Sequence, residues 1–318
     1  MIINLLLTIV GFIVLIKSAD FFVDGAASFA RNVKIPTLIV GLTIVSFGTS
    51  APELAISFSS HIAGNGDMLM GNVVGSNISN ILVILGIAII IMPFNIPRDA
   101  IGKEIPILFL ITVGASILLL DNVFDPSQVN SLSRADGIML IVLFSIFVYY
   151  LITIMLRARD GTEVEEEPKF KLPKSVLFTV AGLLGVIFAA DLVVDNVTDI
   201  AEAIGISQKI IAVTIVSIGT SLPELVTVVV AAKKGENSMA LGSIVGSNIF
   251  NTCIVLGLPI AILGEISTTT FGYVDALFML VAVGLLEIFS VTDRSLKRIE
   301  GVFLIGIYVL YAAYVFMQ

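Results

Sequence analysis

Two stretches of this chain place carboxylates and hydroxyls where an ion could be held. Ser46, Thr49, Ser50, Glu53 and Ser57 recur at spacings of three and four, which puts them on one face of a helix. Ser217, Thr220, Ser221, Glu224 and Thr227 do much the same. Both sets sit in apolar segments long enough to cross a bilayer, where a charged side chain costs about 2.5–3.5 kcal/mol on insertion scales. Glu53 and Glu224 are therefore expected to face protein, water or an ion. Pro52 has no N–H and is expected to leave the Gly48 carbonyl unpaired, as Pro223 is for Gly219. A broken helix at membrane depth is tolerated only where it is buried or lines a cavity. Every group so exposed is a hard oxygen, the ligand type that suits Na⁺ and Ca²⁺.

A second motif follows in each half. Ser76, Asn77 and Asn80 share a helix face, as do Ser247, Asn248 and Asn251. Gly71, Gly75, Gly242 and Gly246 allow helices to approach closely. The amides and hydroxyls add neutral ligands, and hydrogen bonding between helices is their plainer alternative role. Asp20 and Asp24 near one end of the first helix, and Asp191 and Asp195 near the far end of the sixth, read either as ion-entry groups or as interfacial charges. His61 reads as interfacial and Cys253 as a small packing residue.

These residues need a membrane scaffold to position them. Ten apolar segments are long enough to span, at about 2–30, 36–61, 68–92, 104–121, 136–156, 174–203, 207–232, 239–263, 271–290 and 299–317. The first begins at position 2 with no basic leader, so it reads as a span rather than a removed signal. The chain divides into five spans over 1–156, a polar connector at 157–173 that contains Glu163, Glu165, Glu166 and Glu167, and five spans over 174–318. Of the loop-end basic residues, 14 fall on one side and only Arg134 and Lys209 on the other. The basic side is cytoplasmic by the positive-inside rule, which puts both termini outside.

The halves also repeat. Residues 35–57 align with 206–228 at an offset of 171, with 12 of 23 positions identical, within the motif-bearing regions 43–80 and 214–251. The same offset matches Gly71–Asn80 to Gly242–Asn251 and Asp20/Asp24 to Asp191/Asp195, while Ser131-Leu132-x-Arg134 matches Ser295-Leu296-x-Arg298 at 164. Because five is odd, the second half enters the membrane from the opposite side. The reading is an all-α membrane protein of ten transmembrane helices in two inverted-topology repeats, an architecture of many secondary transporters.

Composition agrees. The 318 residues are 57% hydrophobic and only 13% charged, with a net charge of −8 and a mean hydropathy of +1.08. A soluble domain carries about 25% charged residues, so a soluble enzyme, a nucleic-acid binder and a disordered chain are excluded. One Cys and one His leave no intrachain disulfide and no zinc cage.

The paired Gly-Thr-Ser-x-Pro-Glu and Gly-Ser-Asn-Ile-x-Asn motifs resemble the two α-repeats of the calcium/cation antiporter superfamily, in particular its prokaryotic Na⁺/Ca²⁺ exchanger branch. The resemblance covers the whole chain. It implies four ion sites midway through the membrane, three for Na⁺ and one for Ca²⁺, filled alternately. The Ca²⁺ site would use the Glu53 and Glu224 carboxylates with the Thr49 and Thr220 backbone carbonyls. The Na⁺ sites would use Ser46, Ser50, Ser76, Ser217, Ser221 and Ser247 with the same glutamates, and Asn80 and Asn251 would complete the layer. Some exchangers carry an Asp at one of these Asn positions, whereas proton-coupled calcium relatives often carry Asn at both.

The expected activity is therefore electrogenic Ca²⁺/Na⁺ antiport in the cell (inner or plasma) membrane, with Ca²⁺/H⁺ antiport at the same site as the alternative. No organic cofactor, nucleotide or nucleic acid is implied, and the oligomeric state is left open, a monomer included. A cation channel, an intramembrane enzyme and a membrane scaffold are weaker readings. The broken, repeat-matched helices favour alternating access, no nucleophile–base pair is present, and a scaffold needs no buried glutamates.

Overall fold

In the computed structural model the described residues are 2–96, 100–124, 129–161, 167–205, 217–269, 271–293 and 295–317. They are predominantly helical. Helix α1 is Ile2–Asn32. The second apolar segment is two helices, α2 (Thr37–Thr49) and α3 (Ala51–Ile62), bent by 46° at Ser50. Then come α4 (Gly66–Ile91), α5 (Ala100–Leu118), α6 (Arg134–Gly161) and α7 (Leu172–Ala203). In the second half, α8 (Ser217–Thr220) and α9 (Leu222–Lys233) precede α10 (Asn237–Leu263), α11 (Tyr273–Asp293) and α12 (Arg298–Met317).

Among the described residues eight helices are long and apolar enough to cross a membrane, or nine if α2 and α3 form one span. The expected span at 207–232 falls partly outside the described residues, as do Lys209, Thr214, Ile215 and Val216. So do Glu163, Glu165 and Glu166 of the connector.

Burial sorts the helices into layers. Within their most apolar stretches, 83% of α10 and 67% of α4 are buried, against 22% of α1, 17% of α6 and 11% of α12. The motif-bearing helices are thus central. The outer helices turn Leu5, Ile9, Ile146, Phe188 and Leu310 outward, the exposed apolar surface that lipid covers.

Glycines set the closest approaches. A Cβ on Gly242 would lie 2.5 Å from the Leu38 carbonyl oxygen, and one on Gly246 would lie 2.6 Å from that of Leu42. Backbone therefore packs on backbone between α10 and α2. For Gly71 and Gly75 nothing among the described residues comes within 4 Å of such an atom. Helix α1 runs antiparallel to α7 along its length, with Gly25 against Thr179, Gly182 against Phe22 and Gly185 against Ser18.

The fold also contains two small pairings that a purely helical reading does not foresee. Phe94–Asn95 pairs antiparallel with Ser295–Leu296, and Ser131–Leu132 with Ile266–Ser267. Each tethers the residues just before α12 or α6 to a loop distant in sequence. The helix starts are then capped alike. The Ser133 N–H donates to Asp136 Oδ2 at 2.8 Å, and the Lys297 N–H donates to Glu300 Oε2 at 2.7 Å. Asp136 returns its own N–H to the Ser133 hydroxyl at 3.3 Å, which completes a capping box.

Candidate functional site

The site begins at the two helix breaks. Ser50 has φ −87° and ψ 10°, and Ser221 has φ −89° and ψ 3°, both outside the helical region, and a proline follows two residues later in each case. The chain stays hydrogen-bonded across the first break, from Ser50 N–H to the Ser46 carbonyl at 3.0 Å and from Leu54 N–H to the Ser50 carbonyl at 3.3 Å. The Gly48 carbonyl is not left free as expected, because a backbone N–H at the end of α2 takes it up. Tightening of the last turn compensates for the N–H that Pro52 lacks.

Just beyond the breaks, in the first turns of α3 and α9, come Glu53 and Glu224, 1% and 2% exposed. The helix N-terminal dipole favours a carboxylate there. The two halves exchange contacts. The Ser50 hydroxyl donates to Glu224 Oε1 at 2.9 Å. The Thr49 side chain also reaches Glu224, and the Thr220 side chain hydrogen-bonds to Glu53. The two carboxylates are close enough to act on each other electrostatically.

The next layer comes from α4 and α10. Each contains a π-helical turn, over Asn80–Leu85 and Asn251–Val255, and each turn starts at the repeat-matched asparagine. A π turn displaces one residue from the regular ladder and is frequent at functional sites. Ser76, Asn80, Ser247 and Asn251 are all buried. Ser247 lies over the α2 backbone, its hydroxyl 3.5 Å from the Ser46 carbonyl. Ser46 and Ser221 are buried as well. Ser217 opens α8, and its side chain lies outside the described residues.

Several of these groups have no internal partner. Among the described residues, Glu53 Oε2, Glu224 Oε2 and both amide atoms of Asn80 and of Asn251 are buried without a hydrogen bond. Burying such groups unsatisfied costs about 1–3 kcal/mol each, and more for charged ones. The donor chemistry fits a bound cation, with two carboxylates and neutral oxygens around them. No cluster of three His, Cys, Asp or Glu that could hold a metal exists among the described residues.

Two further amides tie the helices together: Asn72, which carries no role in the sequence reading, and Asn77, which takes the interhelical role given there as the alternative to ligation. The Asn72 amide donates to the Glu53 carbonyl at 3.0 Å and to the Ser57 hydroxyl at 3.1 Å, fixing α3 against α4. The Asn77 amide donates to the Thr252 hydroxyl at 2.7 Å, joining the halves. Asn72 lies one turn before Ser76 in the same motif, and that spacing is the signal that could have found it.

A cleft of about 480 Å³ reaches the site from one side. Pro52, Ala55, Asp191, Asp195, Gly219 and Thr220 are among its walls. Thr220 is partly exposed to it, whereas the matched Thr49 is fully buried. The matched aspartates Asp20 and Asp24 are instead ion-paired to Lys234, and Asp24 also to Lys169. His61 lies in the last turn of α3 and is 9% exposed, and Cys253 is fully buried, as a packing residue should be.

Known proteins match this chain along most of its length. The family described as sodium/calcium exchanger protein matches residues 3–153 and 174–317. The inner membrane protein YrbG of Escherichia coli (strain K12) is 38% identical over 87% of this chain and 86% of its own length. The sodium/calcium exchanger MaX1 of Methanosarcina acetivorans is 28% identical over 99% of each chain. Among solved structures, the sodium-calcium exchanger NCX_Mj soaked with 2.5 mM Na⁺ and 0.1 mM Ca²⁺ superposes with a TM-score of 0.85, at 28% identity over 98% of both chains.

Proposed function

The chain belongs to the sodium/calcium exchanger protein family, and from that premise we propose that it exchanges Ca²⁺ for Na⁺ electrogenically at the Glu53/Glu224 site. It is a multi-pass membrane cation/Ca²⁺ antiporter and not an enzyme. The observation that carries the finer reading is the pair of buried, unpartnered carboxylate oxygens, Glu53 Oε2 and Glu224 Oε2.

Two ionised carboxylates balance one Ca²⁺. The Thr49 and Thr220 carbonyls, at the ends of the broken helices, complete its shell. Na⁺ is held by the same glutamates with the oxygens of Ser46, Ser50, Ser76, Ser217, Ser221 and Ser247, while Asn80 and Asn251 close the central layer. Both ion types use the two glutamates, so they compete, and competition for shared ligands makes the transport an exchange. Three Na⁺ per Ca²⁺ leaves one net charge to move, worth about 2.3 kcal/mol per 100 mV of membrane potential.

Alternating access follows from two inverted five-helix halves, 1–156 and 174–318, joined by the connector at 157–173. The long helices α1 and α7, packed on one another, slide against the central helices as one body. The basic loop ends put Arg31 and Lys234 on the cytoplasmic side and both termini outside, in the cell membrane. The cleft beside Asp191 then opens outward.

The test is ⁴⁵Ca²⁺ uptake into vesicles holding the purified chain, driven separately by a Na⁺ gradient and by a pH gradient. Uptake on the Na⁺ gradient with little on the pH gradient is expected. Strong pH-driven uptake without Na⁺ would replace Na⁺ by H⁺ as the coupling ion, a role the neutral Asn80 and Asn251 permit.

A further inference from the structure

The matched aspartate pairs do not have matched surroundings. Asp191 and Asp195 line the open cleft. On α1, Lys234 Nζ lies 2.8 Å from Asp24 Oδ1 and 3.4 Å from Asp20 Oδ1, and it donates to the Asp20 carbonyl at 3.0 Å. Lys169 Nζ lies 2.6 Å from Asp24 Oδ2. Further along α1, Arg31 pairs with Glu236 at 2.7 Å. Lys234 follows directly on α9, the helix whose first turn carries Glu224, and Gly235 turns the chain with φ +78°. One ammonium thus ties α1 to the helix that carries a site carboxylate.

We propose that Lys234, gripping Asp20 and Asp24, is a cytoplasmic latch that holds the exchanger in its outward-open form. The proposal rests on the alternating-access reading. Exchange of the two halves' roles would open a cytoplasmic cleft walled by the counterparts of the present one, with Asp20 for Asp191, Asp24 for Asp195, Gly48 for Gly219 and Val226 for Ala55. Now that space is closed. Val23 is fully buried on α1, and Gly48 lies against the Leu183 side chain. Opening it requires α1 to leave α9, and the Lys234 ammonium must then release two carboxylates and a carbonyl.

The latch is one-sided, because the position matching Lys234 in the first half is Ala63. No lysine stands there to close the outer mouth in the same way, so the ion pairs bias the equilibrium toward the outward-open form. Lys234 is 25% exposed and Asp24 is 19% exposed, more sheltered than the isolated surface pairs that contribute almost nothing. Once released, the aspartates face the cytoplasm, where incoming cations compete with Lys234 for them.

The test labels single cysteines with a membrane-impermeant maleimide in a Cys253→Ala background. Ala55→Cys reports the outer cleft and Val226→Cys its cytoplasmic counterpart. Lys234→Gln should raise labelling at Val226→Cys from the cytoplasmic side about three- to tenfold and lower it at Ala55→Cys by a smaller factor. Lys234→Arg, which keeps the charge, should stay near the parent. Asp24→Asn removes the other partner and should shift labelling in the same direction, which keeps the test decisive if one variant folds poorly. A folded variant, monodisperse in detergent, that shows no rise at Val226→Cys would overturn the latch. Labelling needs no ion gradient, so the result is readable whichever ion drives transport. Unchanged labelling beside intact Na⁺-driven uptake would sink the latch alone.

Discussion

The Ser50 hydroxyl donates to Glu224 Oε1 at 2.9 Å across 174 residues of sequence. The break in one half's helix is thereby joined to the carboxylate of the other half. The Thr49 side chain meets the same carboxylate, and Thr220 makes the converse contact with Glu53. Neither glutamate can be moved without disturbing the opposite helix break.

Glu53→Gln and Glu224→Gln should each abolish Ca²⁺ transport while the protein still folds. Each change removes one of the two charges that balance Ca²⁺ and keeps the side chain's size. Uptake of ⁴⁵Ca²⁺ by the reconstituted variants, beside an unchanged circular dichroism spectrum, checks this. Near-normal uptake in either variant would remove that glutamate from the site.

Ser50→Ala should weaken Na⁺ dependence without abolishing exchange. It deletes a neutral oxygen and a hydrogen bond to a carboxylate, an interaction of about 1.5–3 kcal/mol. At least about a tenfold rise in the Na⁺ concentration giving half-maximal exchange is expected on that scale. The measurement is a Na⁺ titration of exchange in vesicles, and an unshifted midpoint would contradict the role.

The spans and motifs were legible because lipid demands long apolar runs, and buried glutamates stand out within them. Helix α10 was expected at 239–263 and runs Asn237–Leu263. The fate of the Gly48 carbonyl was not legible, since it depends on how tightly the last turn of α2 closes. The π turns at Asn80 and Asn251 were hidden too, because a π turn leaves the apolar pattern almost unchanged. Asn72 and Lys234 gain their roles from partners brought near by tertiary packing. Asn72 bonds to a backbone carbonyl 19 residues away, and Lys234 bonds to one 214 residues away. No spacing rule within one helix reaches the latter.

Gly246→Ala should destabilise the protein and Gly306→Ala should not. A Cβ at 246 would lie 2.6 Å from both the Leu42 carbonyl oxygen and the Ser46 hydroxyl, whereas one at 306 meets nothing within 4 Å among the described residues. Overpacking of this kind costs about 1–3 kcal/mol, while Ala for Gly in an open helix is neutral to favourable. Thermal unfolding in detergent should show a lower midpoint for Gly246→Ala alone. Equal midpoints would contradict the backbone contact between α10 and α2.

The most direct measurement of the central claim is the voltage at which net Ca²⁺ flux vanishes in vesicles, followed as the Na⁺ gradient is changed at a fixed Ca²⁺ gradient. A single charge responds by about 59 mV per tenfold concentration ratio. With three Na⁺ exchanged for one Ca²⁺ and one net charge moved, the null voltage should shift by about 177 mV (3 × 59 mV) per tenfold change in the Na⁺ ratio. A null voltage that ignores the Na⁺ gradient and follows the pH gradient instead would contradict Na⁺-coupled exchange at Glu53 and Glu224.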